Sequence, residues 1–555
     1  MDTTVEHPDV SRYTIPLSES KAKAWIDSLS VTDFGETTKR VYHGLADLNR
    51  RALSPVVRIR IGERLRPKFD VLAANLQRHL VYRAFPLPER GQRIFDLSQS
   101  LLLEFAGLYQ LAALDMLTRD EVNKRALQVA IYRVIDYLGQ YLLSTYAVYI
   151  RTRETIWHDI HHMYLLASEY GLDRLKMGEG RTGAGSIEAR YVQVNLLVLF
   201  KPYSLRQEEI QRIARYIETV THLVQVSNEP LAEERTGDFV HASMLNNDEP
   251  AVIMPYRDLP HSPTVRVFNL RALIMDIDAQ IHSIGADEFS GLVTRHGLSR
   301  HLLKRMVFHL TTVRNRNSNR FAKQEKVTLV LGMEGILDAM TRNSRDQAKD
   351  KQEEDLLFNN LVYGESNLLS AEDKKAGPVE EPGRDIHIWD VINSSVGGYG
   401  LHWPHKETSA ARVGELVGLR DMSKDSNPLM VGVIKWMECV NKQGLNCGIE
   451  LLSTKIMTVS VLTVRNRRTT HRLPLEGLML PSVEGIRPDP VLILPAYIFQ
   501  PGDEVNLRFQ KREEVVALTA LDECLGSFAH FRFRNCTETE QKVSGDDFNN
   551  LWGAL

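Results

Sequence analysis

The spacing of apolar residues changes once along this 555-residue chain, and the change limits the fold more than any other feature. Between residues 17 and 225 the apolar positions recur at helical spacing. The pattern runs through SLSVTDFGETTKRVYHGLADLNR, SPVVRIRIGERLRPKFDVLAANLQRHLVY and the stretches 95–118, 120–150 and 152–171. Pro55 behind Ser54 can open a helix. Beyond residue 454 the runs are short and β-like: TVSVLTVRN, THRLPLEGLML, PVLILPAY, EVNLRFQ, EEVVALTALDE and FAHFRFR, parted by Pro, Gly and Asn. No single bundle or sheet accommodates both patterns. The chain is therefore expected to be an α+β multidomain protein, with about three or four domains for its length.

Four regions follow from the pattern. Residues 1–225 are expected to form a helical domain, an α-bundle or short solenoid, with no fixed repeat of about 34 residues. Residues 226–311 are mixed: GDFVHASML and PAVIMPY read as strands, RVFNLRALIMDIDAQIHSI and HGLSRHLLKRMVFHLTTV as helices. Residues 312–453 form the third region. Residues 454–555 form a β-rich fourth, a small barrel or sandwich.

Composition narrows the function. Hydrophobic content of 43% and charged content of 25% describe an ordinary globular protein. The formal charge of −3 argues against a general nucleic-acid binder. The start MDTTVEHPDVSRYTIPLSES lacks the basic and apolar parts of a signal peptide. The most apolar stretch, 97–117, is broken by Ser, Gln, Glu and Gly and reads as a buried helix rather than a membrane span. Four cysteines without CxxC spacing fit a reducing compartment, so a cytoplasmic location is expected.

Two elements in the third region carry chemistry. The first is WDVINSSVGGYGL (389–401), an apolar strand that turns through Asn393, Ser395, Gly397 and Gly398 into a second apolar run. Asn393 and Ser395 offer compact donors and acceptors. The glycines allow positive φ and the close approach of a flat ligand. The second is Arg316-Asn317-Ser318-Asn319-Arg320, ahead of the β-like run KVTLVLG. Two guanidiniums four residues apart suit phosphate oxygens and a purine face.

In this order the elements resemble the signatures of the PilZ domain, RxxxR and [D/N]xSxxG. They would be Arg316/Arg320 and Asn393/Ser395/Gly398. RVGELVGL (412–419) resembles that family's "pGd.v.l" strand entry. VGVIKWMECVNKQGLNCGIEL (431–451) resembles its closing hairpin, with Trp436 and Gly448 within it. The resemblance covers residues 312–453. It implies a small antiparallel β-barrel that binds cyclic di-GMP, with no cofactor, no metal and no catalysis. Ligand binding would be passed to a protein partner. The charged stretch 342–385 between the signatures reads as a surface insertion, partly helical or disordered. Arg342 and Arg345 form a less well spaced alternative pair. PGDEVNL (501–507) repeats the strand-entry theme, so the last region reads as a degenerate copy without the nucleotide turn. Two rival readings are a barrel that serves only protein interaction and an enzyme housed in residues 1–310.

Other constellations favour structural roles. His158, His161 and His162 sit on one helical segment, where His158 and His162 share a face that could hold a metal. No HExxH order accompanies them, and packing or surface roles are expected. Gly178–Gly185 contains GxGxxG with Arg181 inside it, but a helical segment precedes it rather than a strand. It reads as an interhelical loop with Ser186 capping the next helix. Asp276, Asp278 and Asp338 form no acid–base set.

Overall fold

The structure is a computed structural model. It describes all residues except 1–9, 31, 82, 119–121, 178–184, 231–237, 285–293, 295, 314–324, 343–386, 423–427, 441–443, 466–472, 483–488, 510–511, 526 and 537–555. The chain divides into two compact units. One comprises Met1–Arg316 with His405–Ser409 and Glu438–Gly444; the other comprises Asn317–Pro404, Ala410–Met437 and Leu445–Leu555.

The first unit begins with eight helices: α1 (Glu19–Asp27), α2 (Phe34–Asn49), α3 (Pro55–Arg78), α4 (Glu89–Leu117), α5 (Lys124–Ala147), α6 (Ile156–Glu169), α7 (Ile187–Leu199) and α8 (Gln207–Val220). Side chains of Ser18, Asp33, Asn123 and Ser186 accept from the first-turn amides of α1, α2, α5 and α7 and fix where those helices start. By length and composition α4 could cross a membrane. Here it packs on α2, α3 and α5, and its Leu102, Phe105 and Tyr109 are at most 1% exposed. Phe69 stacks on Phe105 with ring centroids 4.0 Å apart. Arg133 of α5 reaches Glu63 of α3 through two hydrogen bonds of 2.8 and 3.0 Å, and Tyr109 donates to the same carboxylate at 2.9 Å. Those contacts hold Glu63 below the usual carboxylate range, against the upward push of its burial.

An antiparallel sheet follows, with β1 (Gln225–Ser227), β2 (Phe239–Met244), β3 (Val252–Pro255) and β4 (Val265–Asn269) in the order β1-β4-β2-β3. Helices α9 (Arg271–Ser283) and α10 (Arg300–Thr311) complete the unit. Here the structure differs from the sequence reading. Residues 266–269 are expected to start a helix, but they belong to β4, which pairs with β1 and β2, and the helix begins at Arg271. Burial of Val265, Val267 and Phe268 in the sheet outweighs local helical spacing.

The second unit holds two closed six-stranded barrels. The first contains β5 (Lys326–Leu331), β6 (His387–Ser395), β7 (Gly398–Trp403), β8 (Leu416–Asp421), β9 (Met430–Val440) and β10 (Gly444–Ser453), in the circular order β10-β7-β6-β5-β8-β9. A helix, α11 (residues 332–342), follows β5 directly and was not foreseen. The second barrel contains β11 (Met457–Arg465), β12 (Leu475–Leu480), β13 (Val491–Pro495), β14 (Glu504–Phe509), β15 (Arg512–Leu525) and β16 (Phe528–Asn535), in the order β11-β12-β13-β16-β15-β14. Each corresponds to one of the six runs read in the sequence. The expected insertion at 342–385 lies outside the described residues apart from Arg342, the exposed last residue of α11.

Candidate functional site

The turn between β6 and β7 is a two-residue hairpin, Val396-Gly397, closed by the pair Ser395↔Gly398. Along β6 the residues Trp389, Val391, Asn393 and Ser395 are all odd-numbered, so strict alternation would turn all four to the same face. Trp389 is fully buried inside the barrel, 5.3 Å from Trp403 between ring centroids. A register shift between Val391 and Asn393 breaks the alternation: Val391 pairs with Leu401, but Asn393 pairs with Gly400. Leu401 is fully buried, so its neighbour Gly400 faces outward, and Asn393 and Ser395 go with it. The bulge thus converts what would be two buried polar residues into an outward polar edge.

The outward face of β7 and β10 is floored with glycine. Gly400 and Gly448 are cross-strand partners. A Cβ on Gly400 would stand 2.8 Å from Asn393 Oδ1, and one on Gly448 would stand 1.8 Å from Trp436 Nε1. The asparagine amide therefore lies over one glycine and the indole edge over the other, on the two sides of a shallow floor. Gly398 has a different requirement. A Cβ there would come within 2.1 Å of the Ile449 carbonyl oxygen, so the glycine lets β7 and β10 close. Neither Gly397 nor Gly398 has positive φ, and the expectation of left-handed backbone at these glycines is corrected: the need is for space. Beside the floor, His402 Nδ1 donates to Asn446 Oδ1 at 2.7 Å. Lys435 lies 3.3 Å from Glu450, whose Cα partner is Gly398.

The structure thus brings Asn393, Ser395 and Gly398 together and adds Gly400, Gly448 and Trp436, two of which the sequence reading had placed only as strand landmarks. Arg316, Arg320 and Arg345 lie outside the described residues. In the sequence Arg320 precedes Lys326 by six residues. Lys326 opens β5 as the partner of Asp390 on β6, three residues before Asn393.

Among the described residues the remaining candidates take packing or surface positions, and His158 is exposed. His161 is fully buried; its Nε2 donates to the Glu249 carbonyl at 2.8 Å, and its Nδ1 accepts from Tyr191 at 2.9 Å. His158 and His162 keep ring centroids 6.2 Å apart, and no cluster suited to a metal occurs among the described residues. Ser186 caps α7, while residues 178–184 lie outside the described residues. Asp276 accepts from Gln280 at 2.6 Å and Tyr216 at 3.2 Å between α8 and α9.

Comparison with known proteins bears on the succession of domains. Three family models match in succession: "Cyclic-di-GMP receptor FimW, N-terminal domain" over residues 20–232, "Cyclic-di-GMP receptor FimW, middle PilZ domain" over 336–456, and "FimW C-terminal beta-barrel domain" over 459–536. The chain thus carries a region matched as a PilZ domain, residues 336–456, which takes in β6–β10 of the first barrel. Among curated proteins it is similar to the cyclic-di-GMP receptor FimW of Pseudomonas aeruginosa. The identity is 25% over 586 residues, spanning 96% of this chain and 95% of the relative. No solved structure matches.

Proposed function

We propose that this chain is a cyclic di-GMP receptor that relays binding to a protein partner, and that it does so without catalysis and in the cytoplasm. One observation carries the reading: the bulge in β6 puts Asn393 and Ser395 on the outward face, beside a glycine floor edged by Trp436. At Gly400 and Gly448 the missing Cβ atoms let the Asn393 amide and the Trp436 indole lie close against the strands, and these two groups would meet a flat purine. The Asn393 amide and Ser395 hydroxyl supply donors and acceptors for a guanine edge or a phosphate oxygen. The indole offers a stacking surface. Arg316 and Arg320 supply the cations that two phosphates require, with their guanidinium planes free to stack on guanine. The rival of an enzyme within residues 1–310 gains no support from His158, His162 or Asp276, each accounted for above.

Isothermal titration of the full chain with cyclic di-GMP tests the proposal. The natural sequence is expected to bind. Arg316→Ala and Arg320→Ala are each expected to weaken binding about ten- to a hundredfold, since losing a charge-assisted hydrogen bond costs about 1.5–3 kcal/mol. The pair Asn393→Ala/Ser395→Ala should weaken it by at least as much. Unchanged affinity in all these variants would reject the site. Absence of binding in the natural sequence would leave a barrel that serves protein interaction alone.

A further inference from the structure

The two barrels have the same wiring. Counting strands in chain order within each, the first pairs with the second and fourth, the second with the third, the third with the sixth, and the sixth and fourth both with the fifth. The entry to the fourth strand agrees in detail. Gly414 and Gly502 each stand two residues before that strand, and both have positive φ, +76° and +93°. Gly414 N–H donates to the Ile434 carbonyl at 2.7 Å, and Ile434 N–H donates back to Glu415 at 3.0 Å. Gly502 N–H donates to Leu518 at 2.6 Å, and Leu518 N–H donates back to Asp503 at 2.9 Å. Three residues upstream of each acidic residue, Arg412 and Gln500 accept its amide at 3.0 and 3.1 Å. A shared strand order alone has few alternatives among small closed barrels. The same three hydrogen bonds around the same left-handed glycine, at the same strand entry, do not follow from closure.

Correspondence of strands then says what has become of the nucleotide face. In the first barrel that face belongs to the second, third and sixth strands, β6, β7 and β10. Their counterparts are β12, β13 and β16. On these strands Leu478, Leu480, Val491, Ile493 and Phe528 are each at most 3% exposed. They nevertheless point outward: Leu478 pairs with exposed Thr458, and Val491 with exposed Arg532. What covers them is the first barrel. They form one cluster with Ile336 of α11 and with Leu416, Leu429, Val431 and Val433 on the β8–β9 side. Polar contacts edge this contact: Ser527 Oγ donates to Glu415 at 2.7 Å, and Lys435 lies 3.1 Å from Glu523. The β14–β15 side of the second barrel, counterpart of that β8–β9 surface, is polar instead. There Arg508 pairs with Glu513, both exposed, at 3.3 Å.

We propose that the C-terminal barrel is a second PilZ-type barrel whose nucleotide face has become an intramolecular docking face for the first, so that the chain has nucleotide sites on its first barrel alone. The docking half stands by itself; the half concerning sites rests on the function proposed above.

Hydrogen exchange read by mass spectrometry on the full chain separates the two halves. Ile493→Glu places a charge in the cluster. It is expected to raise exchange together in β12, β13, β16 and residues 332–342, while α3–α5 stay protected. Should that variant fail to fold, Gly418→Ala enters the same contact from the other side, where its Cβ would stand 2.7 Å from Val330 and 3.0 Å from Ile336. Exchange that rises only around the substituted strand, or not at all, overturns the docking face. For the sites, cyclic di-GMP added to the natural chain is expected to protect β6, β7 and β10 and no segment of β12–β16 beyond the docked surface. At a ligand concentration that just saturates the natural chain, Asn393→Ala/Ser395→Ala is expected to lose most of that protection. Saturable protection of β12, β13 or β16 that survives in this double variant overturns the single-barrel assignment. No protection anywhere in the natural chain would refute the proposed function and the assignment of sites, and leave the docking result intact.

Discussion

At the scale of single residues, the three glycines of the face do different physical work and should fail differently. Gly398 faces a backbone carbonyl that cannot move without opening the β7–β10 ladder. Gly398→Ala is expected to lower stability by about 1–3 kcal/mol, as overpacking does, seen as a lower urea midpoint with an unchanged slope. At Gly400 the nearest atoms belong to the Asn393 side chain, which can rotate away. Gly400→Ala is therefore expected to leave the midpoint within about 1 kcal/mol while cyclic di-GMP affinity falls about tenfold. A Gly400→Ala chain that binds normally would mean that Asn393 is not a contact. The sequence made the polar residues of this site legible, because Asn, Ser and Gly in fixed order are unusual between two apolar runs. It gave Gly400 and Gly448 no role at the site, because a glycine in a strand looks the same whether it admits a ligand or a neighbouring indole.

At the scale of elements, what the sequence could give was spacing, and spacing failed where tertiary pairing overrode it. The six runs after residue 454 became six strands because alternation and turn residues agreed. In β4 a β-branched run was absorbed into the helical pattern that follows it. In α11 the apolar residues Ile336, Leu337 and Met340 recur at helical spacing, but the segment is short and follows directly on a β-like run. The bulge in β6 is the clearest case, because parity alone puts Asn393 inside the barrel. Deleting Ile392, the extra residue of the bulge, restores plain alternation with Asn393 and Ser395 still outward. That deletion is expected to leave a folded barrel with an unchanged near-ultraviolet signal from Trp389 and Trp403. Loss of that signal would mean that the bulge is needed for closure, not only for orientation.

At the scale of the whole molecule, the units differ in how acid should reach them. Two histidines of the first unit, buried His161 and half-buried His241, are held below the usual imidazole range. Burial pushes His161 down to about 4, against the opposing hydrogen bond to Glu249, the nearby Asp248 charge and a small further lowering by His158. His241 is likewise held at about 4 by burial, against its hydrogen bond to the Leu310 carbonyl and with a small further lowering by Lys201. The sign is fixed by which state binds protons first. An unfolded histidine protonates near pH 6.5, so between 6.5 and 4 the unfolded chain carries the proton and the folded chain does not. The stability these groups contribute is whole above about pH 6.5 and is lost as pH falls toward 4. A depression of about 2.5 units corresponds to about 3 kcal/mol for each histidine. His161 ties α6 and α7 to the segment before β3, and His241 ties β2 to α10, so the loss falls on the first unit. Acidification from pH 7 to 4 is expected to raise hydrogen exchange in α6, α7, β2 and α10 before β5–β16 respond. The double variant His161→Gln/His241→Gln, less stable at pH 7, should lose much less between those limits. If the barrels open first, or if the double variant keeps the full slope, the acid sensitivity lies in groups other than these two imidazoles.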